Sequence, residues 1–102
     1  MISITGMGII CAIGHDREAV LESLRKKESG IGRMRYLPSV HTDIPVGEIK
    51  LSTGEMKRML GIEKEEPVSR TSVMGAIAVR EALAQAGGRS LAGKRVALIS
   101  GT

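Results

Sequence analysis

The chain has no Trp, no Phe and a single Tyr among 102 residues, and only one Cys and two His. Each scarcity excludes something. Aromatic rings supply many of the largest buried side chains, so a core here must be built from Ile, Val, Leu, Met and Ala, with Tyr36 as the only ring. A domain of this size buries about two thirds of its unfolded surface. Without large rings it is expected to be marginally stable alone, or to bury its apolar faces against more protein. The same scarcity argues against single-strand nucleic-acid binding, which stacks bases on rings. One Cys cannot pair within the chain, which removes the disulfide-rich secreted class and makes a cytoplasmic protein the economical reading. Cys11, His15 and His41 make no metal-ligand spacing. The apolar run from Met7 to Ile13 is too short to cross a bilayer, and no basic segment precedes it as in a signal peptide.

What is present is ordinary globular material. Apolar residues make up 42% and charged residues 25%, in periodic blocks that argue against disorder. The length allows at most one small domain. Net charge is +4. One dense basic stretch holds Arg25, Lys26, Lys27, Arg33 and Arg35, broken by Glu28. It reads first as a solvated helix end, where cations suit the C-terminal dipole, and second as a docking surface for an acidic partner.

Along the chain, Ile2-Ser3-Ile4-Thr5 alternates at the period of a strand, and Gly6-Met7-Gly8 breaks it. Asp16 is placed to cap a helix running to about Glu28, with Val20, Leu21 and Leu24 on one stripe. Residues 29–45 hold Gly30, Gly32, Pro38 and Pro45 without a sustained period, and are expected to form a long loop. Val46 to Ile49 is a short strand candidate. Ser52-Thr53-Gly54-Glu55 caps a short helix through Leu60, stopped by Gly61. Glu63 to Pro67 is a charged link. Ser69 to Ala86 is the strongest element, a helix apolar almost all round and therefore expected to be buried, closed by Gly87-Gly88. Arg95 to Ser100 reads as a strand apolar on both faces, as in the centre of a parallel sheet covered by helices. The sequence is expected to be cut off there, because such a strand needs partners.

No catalytic constellation is complete. In a dinucleotide fingerprint begun at Gly6-Met7-Gly8, the third glycine position is Cys11, and the helix starts too late. Gly88 to Lys94 spells G-x-x-x-x-G-K, but Arg95 stands where the Ser/Thr belongs, and helix and strand come in the wrong order. Cys11 with His15 as base would make a thiolate pair. Its apolar surroundings instead favour an inert structural thiol.

The ordered set of motifs is more specific than any one of them. Ile4-Thr5-Gly6-Met7-Gly8-Ile9-Ile10-Cys11-Ala12-Ile13-Gly14 resembles the opening of the β-ketoacyl-acyl carrier protein synthases. Ser29-Gly30-Ile31-Gly32, Ser69-Arg70-Thr71-Ser72, Arg80-Glu81-Ala82-Leu83 and Val96 to Thr102 are similar to later segments of that family, in order and nearly without gaps. The resemblance implies an α/β thiolase-like fold, layered α-β-α. Residues 1–102 would be an incomplete N-terminal part of it, truncated after the strand ending near Ser100. It implies a parent enzyme that condenses an acyl thioester with malonyl-carrier protein by decarboxylation, without metal or organic cofactor, in fatty acid or polyketide-type biosynthesis. The family's nucleophilic Cys and two catalytic His would lie beyond residue 102, so Cys11, His15 and His41 match none of them, and the chain alone would be inactive. Acyl carrier protein is the implied partner and a homodimer the implied state of the parent, with no role for nucleic acid or membrane. Carrier proteins are acidic, and related synthases place basic residues just before the buried helix. Here Glu63-Lys64-Glu65-Glu66-Pro67 is net acidic, which leaves Lys57, Arg58 and Arg70 as the nearest basic candidates for docking. Two alternatives stand beside this reading: a non-catalytic chain-length-factor-like partner and a stand-alone binding module.

Overall fold

A computed structural model describes residues 1–101. Three helices carry the structure: α1 (Arg17–Arg25), α2 (Thr53–Leu60) and α3 (Arg70–Gln85). The only sheet among the described residues pairs β1 (Gly32–Arg33) with β2 (Pro45–Val46), antiparallel, Gly32 opposite Val46.

Each helix begins where a short polar side chain can take an orphan N–H. Asp16 accepts from the Ala19 N–H at 2.8 Å and Ser69 from the Ser72 N–H at 3.1 Å. At α2 the capping box is complete: Ser52 Oγ accepts from the Glu55 N–H, and the Glu55 carboxylate accepts from the Ser52 N–H at 2.7 Å. The helices end alike. A residue in left-handed geometry follows, and the two N–H groups there reach back into the last turn. For α2 the left-handed residue is Gly61, with its own N–H on the Arg58 carbonyl and that of Ile62 on Lys57. At α1 it is Lys27, with φ of 57°, and the Glu28 N–H donates to the Ser23 carbonyl at 2.9 Å. That closure ends α1 at Arg25, three residues before the expected Glu28.

The core lies between α2 and α3. Ile49, Met56, Val73 and Ile77 are buried together, with Ile10, Leu51, Leu60, Val68 and Met74 packed against them. Apolar contact at this seam is the main attraction available to a chain without large rings.

The N-terminal segment lies on α3 rather than in a sheet. The Met7 N–H donates to Gln85 Oε1 at 2.8 Å and the Ile9 N–H to Glu81 Oε2 at 2.9 Å. Two residues of extended chain advance roughly 6.7 Å, and four residues of helix roughly 6.0 Å, so the two spacings match. The close approach depends on the absence of side chains. A Cβ on Gly8 would overlap the Ala78 carbonyl oxygen and come 2.8 Å from its carbon, and one on Gly6 would meet the Ala82 carbonyl in the same way.

Several expectations are corrected. Ile2–Thr5 and Arg95–Ser100 form no strand among the described residues. A helix satisfies its hydrogen bonds within itself, whereas a strand requires a neighbour, and neither segment has one here. The strand expected at Val46–Ile49 shifts to Pro45–Val46, and Glu48 and Ile49 are buried outside any sheet. α3 is not covered all round: Val73 and Ile77 are buried, while Val79 and Leu83 remain 46% and 40% exposed.

Candidate functional site

The docking candidates fall on α2 and the start of α3, and their surroundings differ sharply. Lys57 is buried, and its ammonium donates to the Lys64 carbonyl at 2.9 Å and the Glu66 carbonyl at 2.6 Å. It thereby pins the charged link between the two helices. Arg70 is half-buried; its guanidinium donates to the carbonyls of Leu51 at 2.8 Å and Ile49 at 3.0 Å, with Thr53 Oγ1 beside it at 3.4 Å. This ties the start of α3 to the chain entering α2. Both cations thus satisfy loop carbonyls that helix ladders cannot reach.

Arg58 is different. It is exposed on α2 and makes no ion pair among the described residues. It lines a cleft of about 280 Å³ with Ser52, Gly54, Glu55, Ile62 and Lys64. Of the three candidates, Arg58 therefore presents the free charge, with Lys64 beside it. The net acidic link contributes Lys64 to that cleft, which composition alone does not reveal. In the cleft, Glu55 is held below its ordinary pKa by the hydrogen bonds from Ser52, against a smaller opposing effect of burial, with Arg58 and His15 adding to the lowering.

Cys11 is half-buried in a tight turn, where its N–H donates to the Gly14 carbonyl at 2.9 Å and its carbonyl accepts from the Gly14 N–H at 3.3 Å. No hydrogen bond joins it to His15 among the described residues. His15 faces a cleft with Asp16, Met59, Ile77, Arg80 and Glu81, and His41 lies on the exposed excursion between β1 and β2. The structure does not bring Cys11, His15 and His41 together as a reacting set. Among the described residues, no group of three or more His, Cys, Asp or Glu could hold a metal ion, and no helix is long and apolar enough to cross a membrane.

Two carboxylates that the sequence reading passed over prove to be organising points. Glu81 Oε1 accepts from the Arg17 N–H at 2.8 Å and from Arg17 Nε at 3.0 Å, while Oε2 takes the Ile9 N–H. One side chain thus joins the N-terminal segment, the first turn of α1 and α3. Burial pushes the Glu81 carboxyl up, but these hydrogen bonds and the Arg17 charge outweigh it and hold the pKa below the ordinary value. Glu48 is the second such point. The sequence around them gives little signal, since Glu81 follows Arg80 and Glu48 precedes Lys50 by two residues, as in any solvated charged pair.

The described residues thus form a small α/β unit of three helices with a short antiparallel pair, one closely packed helix face, and a cleft that holds Arg58 and Lys64 beside Glu55. The family model described as beta-ketoacyl synthase, N-terminal domain, matches residues 1–102, and the chain belongs to that family. Searches of curated proteins and of solved structures found no match.

Proposed function

We propose that this chain is the N-terminal segment of a 3-oxoacyl-acyl carrier protein synthase, which scaffolds the condensing site without supplying its reacting groups. The family match over residues 1–102 carries this reading. The parent takes an acyl group onto a Cys thiolate, which divides the condensation into two easier steps. Malonyl-carrier protein then loses CO2, and its carbanion attacks the thioester carbonyl, forming the new C–C bond as the acyl–sulfur bond breaks and the Cys thiolate leaves. Two His stabilise the developing enolate, and backbone N–H groups hold the oxyanion. Those groups lie outside this chain, whose own residues supply helix packing and a docking charge.

Exposed apolar segments support the same reading. Ile2 and Ile4 are 100% and 90% exposed, and Leu98 and Ile99 83% and 95%. Side chains of this kind are buried in finished domains, and the parent's sheet would cover them. The parent is a cytoplasmic homodimer that uses acyl carrier protein as its partner. Docking engages Arg58 and Lys64, since recruiting Lys57 or Arg70 would sacrifice their carbonyl hydrogen bonds.

The test is the intact mass of the native gene product together with a condensation assay. A mass several-fold above 10.8 kDa with malonyl-dependent condensation is expected. A product of 10.8 kDa, or a larger one without condensation, sinks the enzymatic reading. In the active enzyme, Arg58→Glu should raise KM for the acyl-carrier substrate roughly fivefold, the scale of one exposed charge pair. The same variant should leave turnover of a small pantetheine thioester unchanged. Equal effects on both substrates would place Arg58 outside the docking surface.

A further inference from the structure

The excursion between α1 and α2 is held in an unusual way. From Ile31 to Gly47 no residue is buried, and Leu37, Val40 and Ile44 are 42%, 89% and 50% exposed. Its only ladder is the two-residue pair of β1 with β2. Apolar packing therefore does little to fix its path, and a segment so lightly packed would ordinarily open at small cost.

One buried side chain meets it. The Glu48 residue is 7% exposed, and its carboxylate accepts from three successive backbone N–H groups. Oε1 receives the Arg35 N–H, both oxygens share the Tyr36 N–H at 3.2 and 3.1 Å, and Oε2 takes the Leu37 N–H at 3.3 Å. Lys50 closes the base, its ammonium donating to the Gly30 carbonyl at 2.8 Å and to the Glu48 carbonyl at 3.1 Å. Arg33, Arg35, Tyr36 and Lys50 share one cleft with Glu48, and Arg70 shares the cleft on its other side. Glu48 is the only acid lining either cleft. Hydrogen bonds to an ionised acceptor are about twice as strong as neutral ones, so charge on this one group carries most of the closure.

We propose that Glu48 is a latch: its carboxylate alone holds residues 34–44 against the body, and without it that excursion opens as one unit while the α2–α3 core stays closed. The latch faces four cations and Tyr36, so no second acid competes for its donors. Burial pushes the Glu48 carboxyl up, and the three N–H groups with the Lys50 charge more than reverse that, leaving it below its ordinary value. Closure is therefore complete above the ordinary carboxylate range and is lost as pH falls through the lowered folded value.

Hydrogen exchange on the full-length gene product, read by mass spectrometry, tests this without reference to catalysis. In Glu48→Gln one acceptor oxygen becomes a donor facing the N–H groups, while size is kept. The expected result is at least a tenfold loss of protection in peptides covering Arg35, Tyr36 and Leu37, with peptides of α3 unchanged. Protection equal to wild type would overturn the proposal, and so would simultaneous loss in α3, because the latch would then belong to the core. The wild-type protein gives the same test without a substitution. With intrinsic exchange corrected for pH, protection at 35–37 should fall on acidification while α3 remains protected. Protection that persists until α3 itself opens would count against the latch.

Discussion

Two apolar regions of this chain meet opposite fates. Ile49, Met56, Val73 and Ile77 interlock between α2 and α3 and are 5% exposed or less, whereas Ile2, Ile4, Val96, Leu98 and Ile99 lie 60% exposed or more. Composition does not separate them, since both are aliphatic. Met56, Val73 and Ile77 sit on helices, which need only one another's faces to bury them, and Ile49 joins them from the chain entering α2. The second set sits on segments that require a neighbouring strand. Apolar content thus marks where burial is wanted, and the availability of a partner decides where it occurs.

The contrast can be broken most strongly at its buried end. Met56→Ala removes the most enclosed side chain of the seam and should cost about 3 kcal/mol in chemical denaturation of the protein. A loss below about 1 kcal/mol would mean that the seam collapses around the gap and is not close-packed. Gly8→Ala should cost about 2 kcal/mol by overpacking against α3 and release the Met7 and Ile9 N–H groups to exchange. Unchanged protection there would show that the N-terminal segment is held by something other than this close approach.

Acid probes the same contact through Glu81. Its folded pKa is lowered, so its contribution is present above the ordinary carboxylate range and lost as pH falls through the folded value. Glu81→Gln should flatten that part of the stability–pH profile, and an unaltered acid limb would remove Glu81 from the clamp. Ser52→Ala should cost about 1 kcal/mol through the lost cap. Lys27→Gly should add about 0.5 kcal/mol, because glycine adopts the left-handed geometry without strain; a loss would mean that the Lys27 side chain supports α1.

How much was legible follows the range of the interactions. Asp16, Ser52 and Ser69 were readable as helix starts, and Gly61 and Gly87 as stops, because a cap is written within a few residues of the turn it satisfies. The end of α1 was misjudged because Lys27 takes a conformation that sequence assigns to glycine. Lys57, Arg58 and Arg70 looked alike as exposed charges. Two of them turned out to hold carbonyls 7–21 residues away in sequence, a relation that no local pattern encodes. Glu48 and Glu81 were invisible for the same reason: their donors come from other segments.

The sequence by itself determined the three helices, their starts, the glycine stops of α2 and α3, and the family, because these rest on local propensity and on an ordered set of motifs. Only the tertiary structure decided which face of α3 is covered, which cations are free, and that two carboxylates hold backbone from distant segments. Each of those outcomes depends on which groups meet across long separations, as where Gly6 and Gly8 let the N-terminal segment approach Ala82 and Ala78 of α3.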